Sequence, residues 1–246
     1  MANIQYAEEF AFYQQLKFYY DSNRGKIRSR YNDLTKKFLA YNDKSENQDA
    51  FLRLPQFEAL EMYVFIKEFM GNPQVYEMFD DWRNRREKFS DASYYSVRKG
   101  GQIRLFDNES EIVTDTLFKQ MKKYKEVYPN YIYALTMGLG KTILMATCIF
   151  YEFLLANKYP KDKRFCHNAL VFAPDKTVLQ SLREIITFDK TKVVPPEYAR
   201  VLDANIKFHF LEETGTTLHT IDDSDFNIVI SNTQKIIVKK KRKEPK

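Results

Sequence analysis

The second half of the sequence alternates between short apolar segments and helical segments, and this alternation limits the possible folds more than any other feature. Four segments after residue 130 are typical of β-strands, namely YIYALT, NALVFAP, IKFHFL and FNIVISN. Residues 141–157 and 176–188 have the pattern of helices. Strands that alternate with helices form a parallel sheet covered by helices. The sequence therefore predicts an α/β fold, and the continuous apolar runs ALVF and IVI predict strands buried on both faces.

The first 130 residues predict mainly helices. Apolar side chains recur at helical spacing over residues 5–42, with a turn expected at DSNRG. The segment LPQFEALEMYVFIKEFM predicts a further helix, which Pro55 opens and the GNP sequence at 71–73 closes. Beyond it we expect a turn or hairpin in RKGGQIRLFDNES and an amphipathic helix in DTLFKQMKKYKEVY. The predicted parts are an α-helical region over 1–50, a helix plus an insertion or adaptor over 51–127, and an α/β domain over 128–246.

Composition narrows the classes of protein that this chain can belong to. The chain has 246 residues, 44% of them hydrophobic, and a formal net charge of +6, which suits a polyanionic partner. Its two cysteines, Cys148 and Cys166, lack metal-ligand spacing and are expected to be reduced core residues. Because no apolar run is long enough to span a membrane and the N-terminus carries acidic charge, we expect a cytoplasmic protein without membrane partners.

The sequence GLGKT has the composition of a phosphate-binding loop. It follows the predicted strand YIYALT and leads into the predicted helix over residues 141–157. Such a strand, Gly-rich turn and helix direct backbone N–H groups and the positive end of the helix at one point. Gly138 and Gly140 would supply backbone freedom and close approach. Lys141 would supply a charge for the β- and γ-phosphates, and Thr142 a hydroxyl ligand for Mg²⁺. The sequence therefore predicts binding of a nucleotide together with Mg²⁺.

The usual pattern of this loop begins with a further glycine, which is replaced here by Leu135. The alternative is a glycine turn before an ordinary helix, with Lys141 and Thr142 simply solvated. The position of the motif, after a predicted strand and at a helix start, favours the phosphate loop.

At these residues the chain resembles the first motor lobe of superfamily-two helicases and translocases of the DEAD/DEAH type. It is most similar to the Res subunit group of type III restriction enzymes, and MGLGKT is also similar to the loop of chromatin-remodelling translocases. The helicase form of the loop tolerates loss of the first glycine. The resemblance implies an incomplete P-loop NTPase (RecA-like) sheet and a nucleotide site formed by Thr136, Met137, Gly138, Leu139, Gly140, Lys141 and Thr142, of which Lys141 and Thr142 would be catalytic.

Upstream of the loop, LRLPQFEAL is similar to the R-x-x-Q element of these motors, in which the glutamine reads adenine. By that resemblance Gln56 would bind the N6 and N7 edge of the base, accompanied by Arg53. About eighty residues separate Gln56 from the glycines, so residues 71–127 would have to loop out and return. The alternative is a helix N-terminus with solvated polar residues.

Two downstream segments resemble the family's nucleic-acid-binding loops. ALVFAPDKTVLQSL is similar to its second motif, which would place Pro174, Lys176 and Thr177 against a nucleic-acid backbone. FNIVISNTQKI is similar to the segment before the DEAD/DEAH box, which would place Asn232, Thr233 and Gln234 in a loop that faces the strand. The first segment also fits a plain strand–turn–helix, with Asp175 or Thr177 as the helix cap.

Hydrolysis of ATP needs carboxylates that these motors carry on an apolar strand ending in Asp-Glu, and no such strand follows SNTQKI. We therefore expect the chain to be the N-terminal part, or a truncated product, of a longer motor hydrolase. By itself it is expected to bind ATP–Mg²⁺ weakly without turning it over. The final KKKRK is interpreted as a solvated charged segment, with a phosphate-binding cluster or a resemblance to a nuclear-import signal as alternatives.

The expected function is that of an ATP-dependent DNA helicase or translocase in a restriction–modification or phage-defence system. DNA is the expected partner, with a methyltransferase or specificity subunit as a second possibility. The alternatives are a nucleotide-binding or DNA-binding accessory module that never hydrolyses ATP, and a small P-loop kinase.

Overall fold

The structure, a computed structural model, describes the following residues: 11–90, 97–99, 102–104, 116, 118–123, 125–173, 176–210 and 226–232. The chain divides into two compact units, the first formed by Met1–Lys36 and Glu61–Ala134 and the second by Lys37–Leu60 and Leu135–Lys246. The three-part division expected from the sequence stays a prediction. Among the described residues, no helix combines the length and the apolar character needed to cross a membrane.

The N-terminal half of the chain is helical, as predicted. Its elements are α1 (Ala11–Ser29), α2 (Asp33–Asn42), α3 (Leu54–Val64), a π-helical turn (Phe65–Phe69), α4 (Val75–Arg83) and a short 3₁₀ turn (Glu87–Phe89). The predicted hairpin is confirmed, since β1 (Val97–Lys99) and β2 (Gln102–Arg104) pair antiparallel. Residues 116 and 118–123 are helical, as expected for this segment. Positive φ angles at Gly71 and Asn72 follow the π-helical turn and end the helix where the sequence predicted.

A buried carboxylate organises the first unit. Glu61, which is 6% exposed, accepts hydrogen bonds at Oε1 from the Tyr20 hydroxyl, Arg24 Nε and Arg28 Nη2, each at 2.7 Å. Burial and the neighbouring Glu61 raise the pKa of Tyr20, so this hydroxyl remains a donor. A buried charge is tolerated only when it is paired in this way, and the network therefore fixes α1 against Glu61.

The turn predicted at DSNRG is wrong, because α1 runs through residues 21–25 without a break. Its buried face continues across the segment from Tyr20 to Ile27. Two bonds one helical turn apart support it, from Lys17 to Asp21 and from the Asn23 side chain to the carbonyl of Tyr19. The chain turns instead near residue 31, where the Asn32 side chain accepts from the N–H of Thr35 and caps α2.

The second unit contains a three-stranded parallel sheet with helices. Its elements are α5 (Lys141–Lys158), β3 (Asn168–Ala173), α6 (Lys176–Thr187), a 3₁₀ turn (Lys190–Lys192), α7 (Pro196–Asn205), β4 (Ile206–Phe210) and β5 (Phe226–Asn232). The strand order is β3-β5-β4, and both pairings are parallel. The predicted α/β class is confirmed at this level. The sequence did not predict α7, although PPEY carries the proline that opens a helix.

Burial differs between the central strand β5 and the outer strand β3 of this sheet. Residues 226–231 of β5 are all buried, as the IVI run predicted. Within β3, Val171 and Ala173 are buried, whereas Leu170 is 58% exposed and Phe172 is 44% exposed. Burial of the ALVF run on both faces is therefore a wrong prediction. The reason is that successive side chains of β3 point to opposite faces of the sheet, and only one of these faces is covered along this strand.

The strand predicted for YIYALT is also wrong, because residues 131–136 lie in neither a helix nor a strand. The Tyr131 hydroxyl bonds to Asn72 Oδ1 at 3.0 Å, and the Tyr133 ring lies 6.4 Å from that of Tyr63. Ile132 between them is 96% exposed. The two tyrosines therefore pack within the first unit, and alternation of side chains alone does not provide a neighbouring strand with which to pair.

The packing of α5 on the sheet predicts a large difference between two phenylalanines. The Phe153 ring stacks on that of Phe226 at 4.9 Å and is fully buried, whereas Phe172 lies on the uncovered face of β3. We expect Phe153→Ala to lower the free energy of unfolding by about 3–5 kcal/mol through loss of apolar burial and formation of a cavity. The matched control, Phe172→Ala, should lower it by less than about 1 kcal/mol. Urea denaturation measures both, and equal losses would contradict the observed packing.

Candidate functional site

The segment that we call the GLGKT loop, residues 136–142, has a backbone that requires its two glycines. Residues 137–139 form a turn before α5, and φ is +76° at Gly138 and +67° at Gly140. These angles lie in the left-handed region, which costs other residues roughly 1–2 kcal/mol. The geometry agrees with the backbone freedom that the sequence predicted for both positions.

The two glycines differ in what surrounds them. A Cβ atom on Gly140 would lie 2.9 Å from Nε2 of Gln56 and 3.5 Å from Cδ1 of Ile143. A Cβ atom on Gly138 would meet nothing within 4 Å. Gly140 is therefore closely packed against another segment, whereas Gly138 borders open space.

The side chain of Gln56 links the start of α3 to the start of α5. Its Oε1 accepts from the N–H of Arg53 at 3.0 Å, and its Nε2 donates to the carbonyl of Gly140 at 3.1 Å. The first bond is one half of a capping box. In this motif the side chain of the third helical residue, here Gln56, accepts from the N–H of the residue that precedes the helix, here Arg53. The Gly140 carbonyl also accepts from the N–H of Leu144, in the first turn of α5. Gln56 is 3% exposed.

Arg53 makes the second bond to the loop. Its Nη1 donates to the carbonyl of Gly138 at 3.1 Å, and the side chain is exposed. Arg53 and Gln56 thus meet the GLGKT loop within the second unit, although 85 and 84 residues separate the bonded pairs. This return of the chain is what the predicted R-x-x-Q element required.

Lys141 and Thr142 are the first two residues of α5, where the unpaired N–H groups of a helix give a positive end. The Lys141 ammonium is exposed and donates to the carbonyl of Thr136 at 3.0 Å. Elsewhere in the loop, Met137 is 94% exposed and Leu139 is half-buried. The donor set at the start of α5 therefore comprises an ammonium, a hydroxyl and helix N–H groups.

This donor set fits a polyphosphate with its magnesium ion. The ammonium and the helix N–H groups suit phosphate oxygens, and the Thr142 hydroxyl is a suitable oxygen ligand for Mg²⁺. In the described part of the chain there is no cluster of three or more His, Cys, Asp or Glu that could hold a metal ion by itself. Within that part, Mg²⁺ would depend on Thr142 together with phosphate oxygens of the nucleotide.

The residues expected to bind nucleic acid are described only in part. Asn232 is the last residue of β5 and pairs in register with Ala173, the last residue of β3. The main chain of Lys176 and Thr177 begins α6, whereas Pro174, Thr233 and Gln234 lie outside the described residues, as do Asp175 and the KKKRK segment. Because β3 and β5 are parallel neighbours, both segments leave the sheet at the same edge.

The two cysteines are not both core residues. Cys148 is partly buried on α5, and burial, reinforced by the charge of Glu152, raises its pKa to about 12. Its thiol therefore stays protonated at neutral pH and is a poor nucleophile. Cys166 is exposed, which makes the prediction of a core position wrong for that residue. It lies in the irregular connection before β3, where an apolar neighbour in sequence does not imply burial.

Comparison with known proteins gives no family assignment. No protein-family model, no curated protein and no solved structure significantly matches this chain.

The different surroundings of the two glycines predict different costs for the same substitution. Gly138→Ala and Gly140→Ala both place a side chain at positive φ, but only the latter drives a Cβ into Gln56. We expect Gly140→Ala to lower the free energy of unfolding by about 1–3 kcal/mol more than Gly138→Ala, since the buried hydrogen bond from Gln56 is then lost. Chemical denaturation of both variants measures the difference. Equal costs would mean that the contact with Gln56 contributes nothing.

Proposed function

We propose that the second unit binds ATP–Mg²⁺ at the GLGKT loop. The observation that carries this proposal is the meeting of three sequence features at one place: two glycines at positive φ, a lysine and threonine at a helix start, and an R-x-x-Q segment bonded to the loop carbonyls. An ordinary glycine turn explains the first feature alone. Phosphate binding at a helix N-terminus explains why the lysine and the threonine accompany it.

Binding of the nucleotide would exchange one contact of Lys141 for a stronger one. The ammonium donates to the neutral carbonyl of Thr136 in the structure. A hydrogen bond to a phosphate oxygen is charge-assisted and roughly twice as strong as one between neutral groups. Because Lys141 is exposed, its side chain can turn from the carbonyl to the β- and γ-phosphates without repacking the core. Thr142 would hold Mg²⁺, which neutralises phosphate charge.

We further propose that this site serves a DNA helicase or translocase of the DEAD/DEAH type, similar to the motors of restriction systems, with a RecA-like P-loop fold. Three observations support this reading: the parallel sheet, the common edge from which the segments after β3 and β5 leave it, and the net charge of +6. Loops at the carboxyl edge of a parallel sheet are a usual place for ligands. DNA backbone at residues 174–177 and 232–234 would then move as ATP is bound and released.

A nucleotide-binding accessory module that never moves DNA is the second candidate, favoured by the donor set at the start of α5, which accounts for binding of a nucleotide without any contact to DNA. The two candidate functions differ in whether binding of ATP–Mg²⁺ and binding of DNA affect each other. In a motor, ATP–Mg²⁺ changes the affinity for DNA, and DNA changes the affinity for ATP–Mg²⁺ by the same factor. An accessory module with independent sites shows no such factor. Titration of DNA with and without saturating nucleotide separates them.

The proposed phosphate contact predicts a specific loss of affinity in Lys141→Ala. We expect ATP–Mg²⁺ to bind roughly tenfold to a hundredfold more weakly, since a charge-assisted hydrogen bond is lost, while the fold persists. The matched control is Lys158→Ala, which removes the same charge from the other end of α5. Calorimetric titration measures both variants. Wild-type affinity in Lys141→Ala, or an equal loss in Lys158→Ala, would contradict the proposal.

The proposed DNA contact predicts a uniform loss of affinity in Lys176→Ala. A lysine that contacts a phosphate carries no sequence information, so we expect weaker binding to every duplex or single strand tested. The slope of log affinity against log salt concentration should become shallower by about one. The control is Lys161→Ala, in the exposed connection after α5. An unchanged salt dependence in Lys176→Ala would place DNA elsewhere.

A further inference from the structure

We infer that Arg53 and Gln56 act on the triphosphate end of the nucleotide, by positioning the GLGKT loop, and do not read the base. This inference rests on the proposed binding of ATP at that loop. It departs from the adenine-reading role that the R-x-x-Q pattern predicts, and its grounds are the hydrogen bonds of both side chains and the burial of Gln56.

The hydrogen-bond partners of Gln56 fix the orientation of its amide and occupy both of its ends. The N–H of Arg53 can only donate, so it must face Oε1, and the carbonyl of Gly140 can only accept, so it must face Nε2. The reverse orientation would place donor against donor and acceptor against acceptor. The amide orientation is therefore determined by main-chain groups of the protein.

Reading adenine would require Gln56 to turn its amide out of the buried position that these two hydrogen bonds hold. The base offers an N6 donor and an N7 acceptor, which a glutamine matches only with its oxygen and its nitrogen presented together. In the structure these atoms bond to Arg53 and Gly140, and the residue is 3% exposed. If the Gln56 amide turned outward, its hydrogen bonds to the N–H of Arg53 and to the carbonyl of Gly140 would be broken. The buried arrangement favours a positioning role.

The bonds to the loop carbonyls have a direct consequence for an anion. A carbonyl oxygen that faces a phosphate repels it, because both carry negative charge. The carbonyl of Gly140 is held by the Gln56 amide and that of Gly138 by the Arg53 guanidinium. Each bond offsets part of the carbonyl's negative charge and restrains its peptide group. The loop is thereby held ready for an anion at the start of α5.

Arg53 can also contact the phosphates itself. A guanidinium has five N–H donors, of which the bond to Gly138 uses one, and the side chain is exposed. It therefore brings a second positive charge to the loop beside that of Lys141. A planar guanidinium is well suited to phosphate oxygens, whereas the base edge of adenine gains nothing from a positive charge of this kind.

The test separates the base from the phosphates by using three ligands: ATP, ITP and inorganic tripolyphosphate, each with Mg²⁺. ITP lacks the N6 amine, and tripolyphosphate has no base. The variants are Gln56→Met, which is neutral and of similar length, and Arg53→Met, which keeps the main-chain N–H that donates to Gln56. We expect each to weaken binding of all three ligands by the same factor, roughly tenfold, and to leave the ratio of ATP to ITP affinity unchanged.

Arg200→Met, which removes one exposed charge from α7, is the control for net charge and should leave all three affinities near wild type. Circular dichroism and denaturation establish that each variant is folded at the titration temperature. If Gln56→Met does not fold, Arg53→Met alone decides, because its side chain is exposed. Loss of preference for ATP over ITP, with tripolyphosphate affinity intact, would overturn the inference and leave ATP binding standing. Failure of the wild-type chain to bind any of the three would overturn both.

Discussion

The geometry of the candidate site depends on one carbonyl group, that of Gly140. This carbonyl accepts from the Gln56 amide and from the N–H of Leu144. It therefore connects the start of α3 to the first turn of α5. Gly140 adopts its left-handed backbone without strain, and a Cβ at this position would lie 2.9 Å from Nε2 of Gln56. A single residue without a side chain therefore determines where Lys141 and Thr142 begin their helix.

Much of the second unit was predictable because its strands are short apolar runs separated by helical segments. The segments of β3, β4 and β5 and the helices α5 and α6 follow from that alternation, which also predicted that the strands pair in parallel. The two exceptions have different causes. YIYALT has the composition of a strand, but tertiary contacts pack its tyrosines within the first unit. DSNRG has the composition of a turn, but side-chain bonds one helical turn apart support α1 through it.

The site was predictable in its members and not in its arrangement. The pattern R-x-x-Q and the sequence GLGKT identified Arg53, Gln56 and the two glycines, and the structure brings all four together. The sequence could not show which atoms of Gln56 are engaged, since a glutamine offers both a donor and an acceptor. A capping box at the start of α3 was also readable, with Pro55 inside the first turn and glutamine third in the helix. That local bond orients the amide toward Gly140.

The sheet order β3-β5-β4 has a consequence for how the nascent chain acquires its structure. Among the described strands, the last to be synthesised is the one in the middle, and β3 and β4 pair with it and not with each other. During translation β3 and β4 therefore cannot pair with β5 until residues 226–232 have emerged from the ribosome. Because β5 is also more fully buried than β3 and β4, its residues supply both hydrogen bonds and apolar surface to the sheet. Of the three described strands of this sheet, the last to be synthesised is thus the one on which both pairings depend.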